Sequence, residues 1–145
     1  MIHPHLAVLR PEGAVSYSIV LPLPPPANHY MRTGQRTTKA GKKYHRPVKT
    51  QQAKDYQATV AAYCLQYRLA AQISPLTGPI GCLMVVYLAE LRGDLEGREK
   101  VLKDALQGGL YVDDKQIKES HEYFAPGRHA RARVEVCVWE IKSWK

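Results

Sequence analysis

The spacing of apolar and polar residues changes several times along the chain, and each change marks an element. Val15–Leu21, VSYSIVL, places Tyr17, Ile19 and Leu21 on one side, the two-residue repeat of a strand. The prolines of PLPPPANHY lack the amide donors of a central strand, so the strand ends there and the chain leaves into a loop. Residues 29–49, HYMRTGQRTTKAGKKYHRPVK, show no apolar repeat and are expected to remain a loop. From Gln51 to about Ile73 the apolar steps lengthen to three and four: Tyr56, Val60, Tyr63, Cys64, Tyr67 and Ala71 form one face of a helix. Ser74-Pro75 and Gly78-Pro79 stop it. Residues 80–91, IGCLMVVYLAEL, run apolar almost without a break, which predicts a strand covered on at least one face. A second helix is predicted over 95–107, with Asp94 at its cap, Gly108-Gly109 beyond its end, and Val101, Leu102, Ala105 and Leu106 on its buried face.

After that helix a short extended piece reaches Asp113-Asp114, which reads as a turn. Residues 116–124 are expected to form a strand, APGRHARAR a connection, and Arg133–Ile141 a clearly alternating final strand. The order strand, helix, strand, helix, strand, strand predicts an α/β (α+β) fold, a single mixed sheet of about four strands flanked by two helices. The 145 residues suit one domain, 15–145, behind a flexible N-terminal extension of residues 1–14. No apolar run approaches the roughly 18 residues of a membrane span, and the start shows no cleavable secretory pattern. Cys64, Cys82 and Cys137 form no C-x-x-C pair, so buried, reduced thiols in a cytoplasmic protein are expected, with neither zinc nor a disulfide framework.

Charge adds what periodicity leaves out. The formal net charge of +8 points to an anionic partner, nucleic acid first, then an acidic protein or a membrane surface. Between Asn28 and Lys54 stand Arg32, Arg36, Lys39, Lys42, Lys43, Arg46, Lys49 and Lys54, without one Asp or Glu. Such a stretch repels itself in isolation and releases counterions when laid on a phosphate backbone. Arg128, His129, Arg131 and Arg133 make a smaller second patch. The acids are gathered elsewhere: seven of the 13 lie between Gly93 and Glu119.

Glu96, Lys100 and Asp104 stand four residues apart on one helical stripe. The simplest reading is a pair of surface ion pairs, each contributing about 0.3–0.5 kcal/mol. Asp94 at the helix mouth and Asp113-Asp114 in the following turn add to this, because carboxylates that converge repel unless a cation lies between them. A hard divalent cation takes oxygen ligands, and acids holding a metal beside a phosphate-capturing surface suit a metal-dependent phosphodiesterase.

These residues together resemble the RusA family of Holliday junction resolvases. The family's centre reads roughly D-x-D-N, a Lys four residues after the second Asp, D-A-L, then an Asp-Asp pair. Here Asp94, Glu96, Gly97, Lys100, Asp104–Leu106 and Asp113-Asp114 occupy those places, and YSIVLPLPPPANHYMR resembles the family's leading strand, proline turn and Asn. The likeness runs over roughly residues 15–141. It implies a bacterial or phage-encoded homodimer that nicks two strands of a four-way DNA junction symmetrically, with Mg2+ as cofactor and Mn2+ able to substitute. It also implies Asp94, Glu96 and Asp114 as metal-binding acids and Lys100 facing the scissile phosphate. Asp104 and Asp113 would support them, and Asn28 with the basic stretch, Arg128 and Arg131 would bind DNA. No membrane and no small-molecule cofactor are implied.

Two positions depart from the pattern: Glu96 stands where the family has Asp, and Gly97 where it has Asn. They keep open a junction-binding protein with a degenerate metal site. A small-molecule phosphohydrolase would account for the acids but leave the acid-free basic stretch idle. The apolar strand at 80–91, Trp139 and Trp144 are the surfaces sequence offers for a dimer contact.

Overall fold

The computed structural model of the chain describes residues 9–25, 31–89 and 95–142. In chain order the elements are β1 (Ser16–Leu21), β2 (Met31–Thr37), β3 (Lys43–Lys49), α1 (Gln51–Ala71), β4 (Ile80–Tyr87), α2 (Leu95–Leu106), a single 3-10 turn (Asp114–Gln116), β5 (Ile117–Phe124) and β6 (Arg133–Glu140). Four strands form a mixed sheet in the order β1-β6-β4-β5. β6 runs antiparallel to β1 and to β4, while β5 runs parallel to β4. This is the mixed, two-helix architecture expected, with a second, two-stranded sheet added by β2 and β3.

β4 is apolar throughout because it is covered on both faces. Cys82, Met84 and Val86 join the larger core beneath the helices, where Tyr56, Val60 and Cys64 of α1 and Val101, Leu102 and Leu106 of α2 meet them. Leu83 and Val85 point the other way, into a cluster with Cys137 and Trp139 that Leu9, Ala14, Tyr87, Tyr123 and Ile141 pack against. A continuous apolar run is what a strand buried on two faces requires. Trp139 is fully buried, so it and β4 belong to the core and offer no surface to a partner. Trp144 lies outside the described residues.

Gly81 is set by that tryptophan. It lies opposite Trp139 in the β4–β6 register, and a Cβ built on it would lie only 2.3–2.4 Å from atoms of the indole ring. The ring therefore lies flat across the one position in β4 that has no side chain.

The first helix differs from its sequence stripe in two places, Tyr63 and the exposed Ala71 at its end. Ala53, Tyr56, Val60 and Cys64 are buried and Tyr67 packs at the margin, but Tyr63 is 38% exposed. Residue 63 is one position, about 100°, away from the buried line. Thr50 caps the helix, its hydroxyl accepting from the Ala53 amide at 3.1 Å.

The stretch expected to be a loop is a hairpin. β2 and β3 pair antiparallel from Met31↔Lys49 to Thr37↔Lys43. A closed turn joins them: the Thr38 amide donates to Lys42 O at 2.8 Å and the Gly41 amide to Thr38 O at 2.9 Å, with Gly41 at φ +83°. The hairpin's side chains are almost all exposed, so no apolar alternation marked it. Pro47 is tolerated because a two-stranded sheet has only edge strands.

Because β4 and β5 are parallel, the sheet has two distinct ends. At the exit end β1, β4 and β5 finish. Tyr56 donates to Pro22 O there and Arg98 of α2 to Pro24 O, and the His129 amide donates to Leu88 O at 2.9 Å. At the entry end the same strands begin. Tyr17 donates to Ser74 O and the Leu76 amide to Leu110 O.

Two outcomes follow from this packing. Gly81→Ala should lower stability by at least about 1–3 kcal/mol through overpacking against Trp139, read as a fall in the urea midpoint at unchanged slope. Burial pushes the Cys64 thiol up to about 11, with Arg68 acting weakly the other way, and Cys82 up to about 12. All three cysteines should therefore resist iodoacetamide at pH 8 in the folded protein and react in guanidinium.

Candidate functional site

The hairpin turns the basic stretch into a shaped surface. Arg36 and Tyr44 are directly paired, and Arg46 stands on the same face two residues further along β3, opposite Gly34. The absence of a Cβ on Gly34 makes room for Val48, whose Cγ1 would otherwise lie 2.9 Å from it. Between the hairpin and the first turn of α1 lies an open cavity of about 620 Å³. Arg36, Arg46, Lys49 and Lys54 line it together with Gly34, Gln35, Pro47 and Val48, so its lining carries four cations and no carboxylate. The start of α1 adds to that field: it has no acid in its first turn, and helix N-termini carry a partial positive charge. Lys39, Lys42 and Lys43 are exposed around the hairpin tip. Arg32 lies in β2, but its side chain is outside the described residues, as is Asn28.

The hairpin is fastened to the helices through Asp104. Lys49 Nζ lies 3.1 Å from Asp104 Oδ2, Gln57 of α1 donates to the same oxygen at 2.7 Å, and Gln107 donates to Oδ1 at 3.2 Å. One carboxylate thus ties β3, α1 and the end of α2 together. Lys100, one of the residues Asp104 was expected to support, stands exposed one turn earlier on α2. Gln57 was not singled out in the sequence; a lone polar residue beside a buried stripe gives no sign of a contact 47 positions away.

A second polar network was only half legible. Glu99 and Lys103 are four apart on α2 and form an ion pair, as their spacing allows. Lys103 also reaches Glu122 of β5 at 3.2 Å, and Glu122 takes a hydrogen bond from Ser120. Burial pulls the Lys103 pKa down, but the Glu99 hydrogen bond and the charges of Glu122 and Glu99 outweigh it and hold the group above its ordinary value. This network fixes α2 against β5.

The second basic patch divides. Arg133 stacks over the Tyr87 ring, 3.9 Å from its centroid, and His129 meets the same ring edge-on. Arg128 and Arg131 are exposed in the connection between β5 and β6, at the exit end.

The motif acids fall in two places along the chain, around the start of α2 and in the turn before β5. Asp94 lies outside the described residues, one peptide link before α2. Glu96 falls in the first turn of α2, at the exit end, and its side chain is likewise outside the described residues. Asp113 and Asp114 are at the entry end, in the turn leading to β5. Asp113 caps that turn by accepting from the Lys115 amide at 2.9 Å, and this bond holds its pKa below the usual carboxylate range. Gln116 completes the box, accepting from the Val112 and Asp113 amides and donating to Leu76 O and Gly78 O, each at 2.8 Å. Asp114 is exposed; partial desolvation, then the hydrogen bond and charge of Asp113, raise its pKa.

A 12-residue helix is about 18 Å long, so the first turn of α2 and the start of β5 are separated by several times the 2.0–2.1 Å of a magnesium–oxygen bond. A single ion does not take ligands from both within one chain. Among the described residues no three His, Cys, Asp or Glu side chains converge on a metal position.

The sequence profile of endodeoxyribonuclease RusA matches residues 22–138, from the end of β1 to β6. The chain belongs to the RusA family. No curated protein matches it. The family is one of Holliday-junction-resolving endodeoxyribonucleases acting on branched DNA, and the RusA match spans the hairpin, both helices and the acid-rich segment. No described helix is long and apolar enough to cross a membrane.

If the hairpin cavity receives backbone phosphates, Arg36→Ala and Arg46→Ala should each reduce the slope of log affinity against log salt by about 0.9 for junction DNA. Both side chains are exposed, so the thermal midpoint should stay nearly unchanged. Binding measured across a salt series checks this.

Proposed function

We propose that the protein is a metal-dependent, structure-selective endodeoxyribonuclease that resolves Holliday junctions by paired, symmetric nicks, acting as a homodimer in DNA recombination and repair. The observation that carries this reading is the acid-free cavity of Arg36, Arg46, Lys49 and Lys54, which follows the end of β1 in the chain and is tied to α2 through Lys49 and Asp104. A DNA backbone laid along the hairpin passes the helix mouth where the motif acids begin. Arg36 and Arg46 offer planar forks suited to phosphate oxygens, while Lys39, Lys42 and Lys43 extend the positive field toward the hairpin tip. The exposed Arg128 and Arg131 would take a second stretch of backbone at the exit end.

Lys100 stands one turn into α2, and its point charge would steady negative charge on the non-bridging oxygens of the phosphate being cut. Asp104 serves this surface by holding Lys49, and with it the base of the hairpin, against both helices. The cation of this reading is Mg2+, with Mn2+ able to substitute; held by carboxylates, it would supply Lewis acidity toward a water and the phosphate oxygens. Its donors would be Asp94, Glu96 and Asp114. Within one chain the first turn of α2 and the Asp114 turn lie at opposite ends of the crossover, and Asp94 is outside the described residues. A homodimer suits the substrate on separate grounds, since the exchanged strands of a junction are related by an approximate twofold axis.

The test is cleavage of a mobile four-way junction in Mg2+, compared with Ca2+ and with EDTA, by the natural sequence and by Asp94→Asn. Paired nicks at symmetric positions are expected only from the natural sequence with Mg2+ or Mn2+. Equal product from both proteins would contradict the reading. Tight junction binding with no cutting in any divalent ion would instead select a DNA-binding protein with a degenerate site, which Glu96 and Gly97 would explain.

A further inference from the structure

We propose that Tyr44 of β3 is a stacking platform for an unpaired nucleobase, so that the basic hairpin selects DNA in which the base stack is broken. The inference rests on the endonuclease reading above and names the feature of branched DNA that this surface takes hold of. Tyr17, Tyr56, Tyr67, Tyr87 and Tyr111 each hold a hydrogen bond within the fold. Tyr44 holds none with a described residue, and no described ring or cation stacks on it. It is 42% exposed. The ring is held on a regular ribbon, with strand pairing on both sides of it and the closed turn at Gly41 just before it.

The surroundings of the ring suit a nucleotide. Arg36 lies directly across from it in the hairpin register, and Arg46 follows two residues along the same strand. Side chains directly opposite have Cβ atoms about 4.5–5.5 Å apart, so a backbone phosphate held by Arg36 brings a neighbouring base to the tyrosine. Both guanidiniums line the acid-free cavity, and Tyr44 stands at its margin toward the hairpin tip. Every base has a π-face, so such a platform is indifferent to sequence. It is not indifferent to structure. In a continuous duplex each base has neighbours on both faces, and turning it out costs free energy. A base at a branch point, in a bulge or in a single strand offers an open face without that cost. Tyr44 therefore adds binding where the stack is interrupted, whereas the cations around it bind any backbone. A ring that only propped Arg36 would serve every DNA alike, which separates the two roles by experiment.

Binding in EDTA, where no cutting intervenes, tests this on a plain duplex and on the same duplex carrying one unpaired base. Tyr44→Leu keeps an apolar side chain on the strand but removes the ring. It should weaken binding to the bulged duplex by about fivefold or more, the value of stacking one base on an aromatic side chain. Affinity for the plain duplex, and its slope against salt, should stay as in the natural protein. Tyr44→Phe should bind both DNAs as the natural protein does, because the ring remains. The natural protein gives a second readout that needs no variant. Iododeoxyuridine at the unpaired position should photo-crosslink to Tyr44, and the same label inside the plain duplex should not. Equal losses on both DNAs, an undiminished preference of Tyr44→Leu for the bulge, or a crosslink that does not map to Tyr44 would each overturn the proposal. The endonuclease reading survives those results; it falls instead if the natural protein cuts no junction with any divalent ion. Thermal melting confirms that each variant is folded, with a midpoint near the natural one because Tyr44 is exposed.

Discussion

Parallel strands cannot be joined by a tight turn; the chain must return the length of the sheet before the second strand begins. In this protein that constraint falls between β4 and β5, and α2 is the return. Whatever stands at the start of α2 and whatever stands at the start of β5 are held at opposite ends of the sheet by backbone hydrogen bonding and by the buried faces of both elements. The acid-rich segment is laid over this crossover, so its carboxylates are divided by the fold into an exit-end group and an entry-end group. The basic hairpin and the exposed arginines of the last connection share the exit end with the helix mouth. One end of the molecule is thus built for backbone phosphates, and the other carries a rigid acidic turn facing outward.

The electrostatics follow the same division. The hairpin's cations are left without acids inside the cavity they line, except that Lys49 is tied to Asp104 where β3 meets the helices. That tie is half-exposed, and pairs of this kind contribute little to stability. Its consequence is geometric: it fixes the angle at which a flat, solvent-covered hairpin leaves a packed domain. Lys103 between Glu99 and Glu122 does the corresponding work for α2 on β5, and it is better shielded from water.

Much of this was legible in the sequence, and the remainder has identifiable causes. The four sheet strands and both helices follow from apolar periodicity, since each must bury a face. The doubly covered β4 reads directly from its unbroken apolar run. The hairpin escaped because its strands bury nothing: Arg36, Tyr44 and Arg46 alternate by register alone, and a proline within β3 argues against a strand unless both strands are edges. Tyr63 lies one helical step off the buried line, and Ala71 at the helix end is exposed. Long-range partners such as Gln57 with Asp104 leave no local trace. The separation of Glu96 from Asp114 is a different case. Closeness in sequence, and the habit of carboxylates to gather around a cation, suggested convergence. The strand–helix–strand order already held the opposite signal, since a parallel pairing of the strands flanking α2 places the two acids at opposite ends.

The decisive question is whether a DNA backbone runs along the basic hairpin. A crystal structure of the protein with a four-way junction would locate the phosphates. Backbone phosphates within bonding distance of Arg36 and Arg46 are expected. A bound junction that leaves the hairpin bare would contradict this.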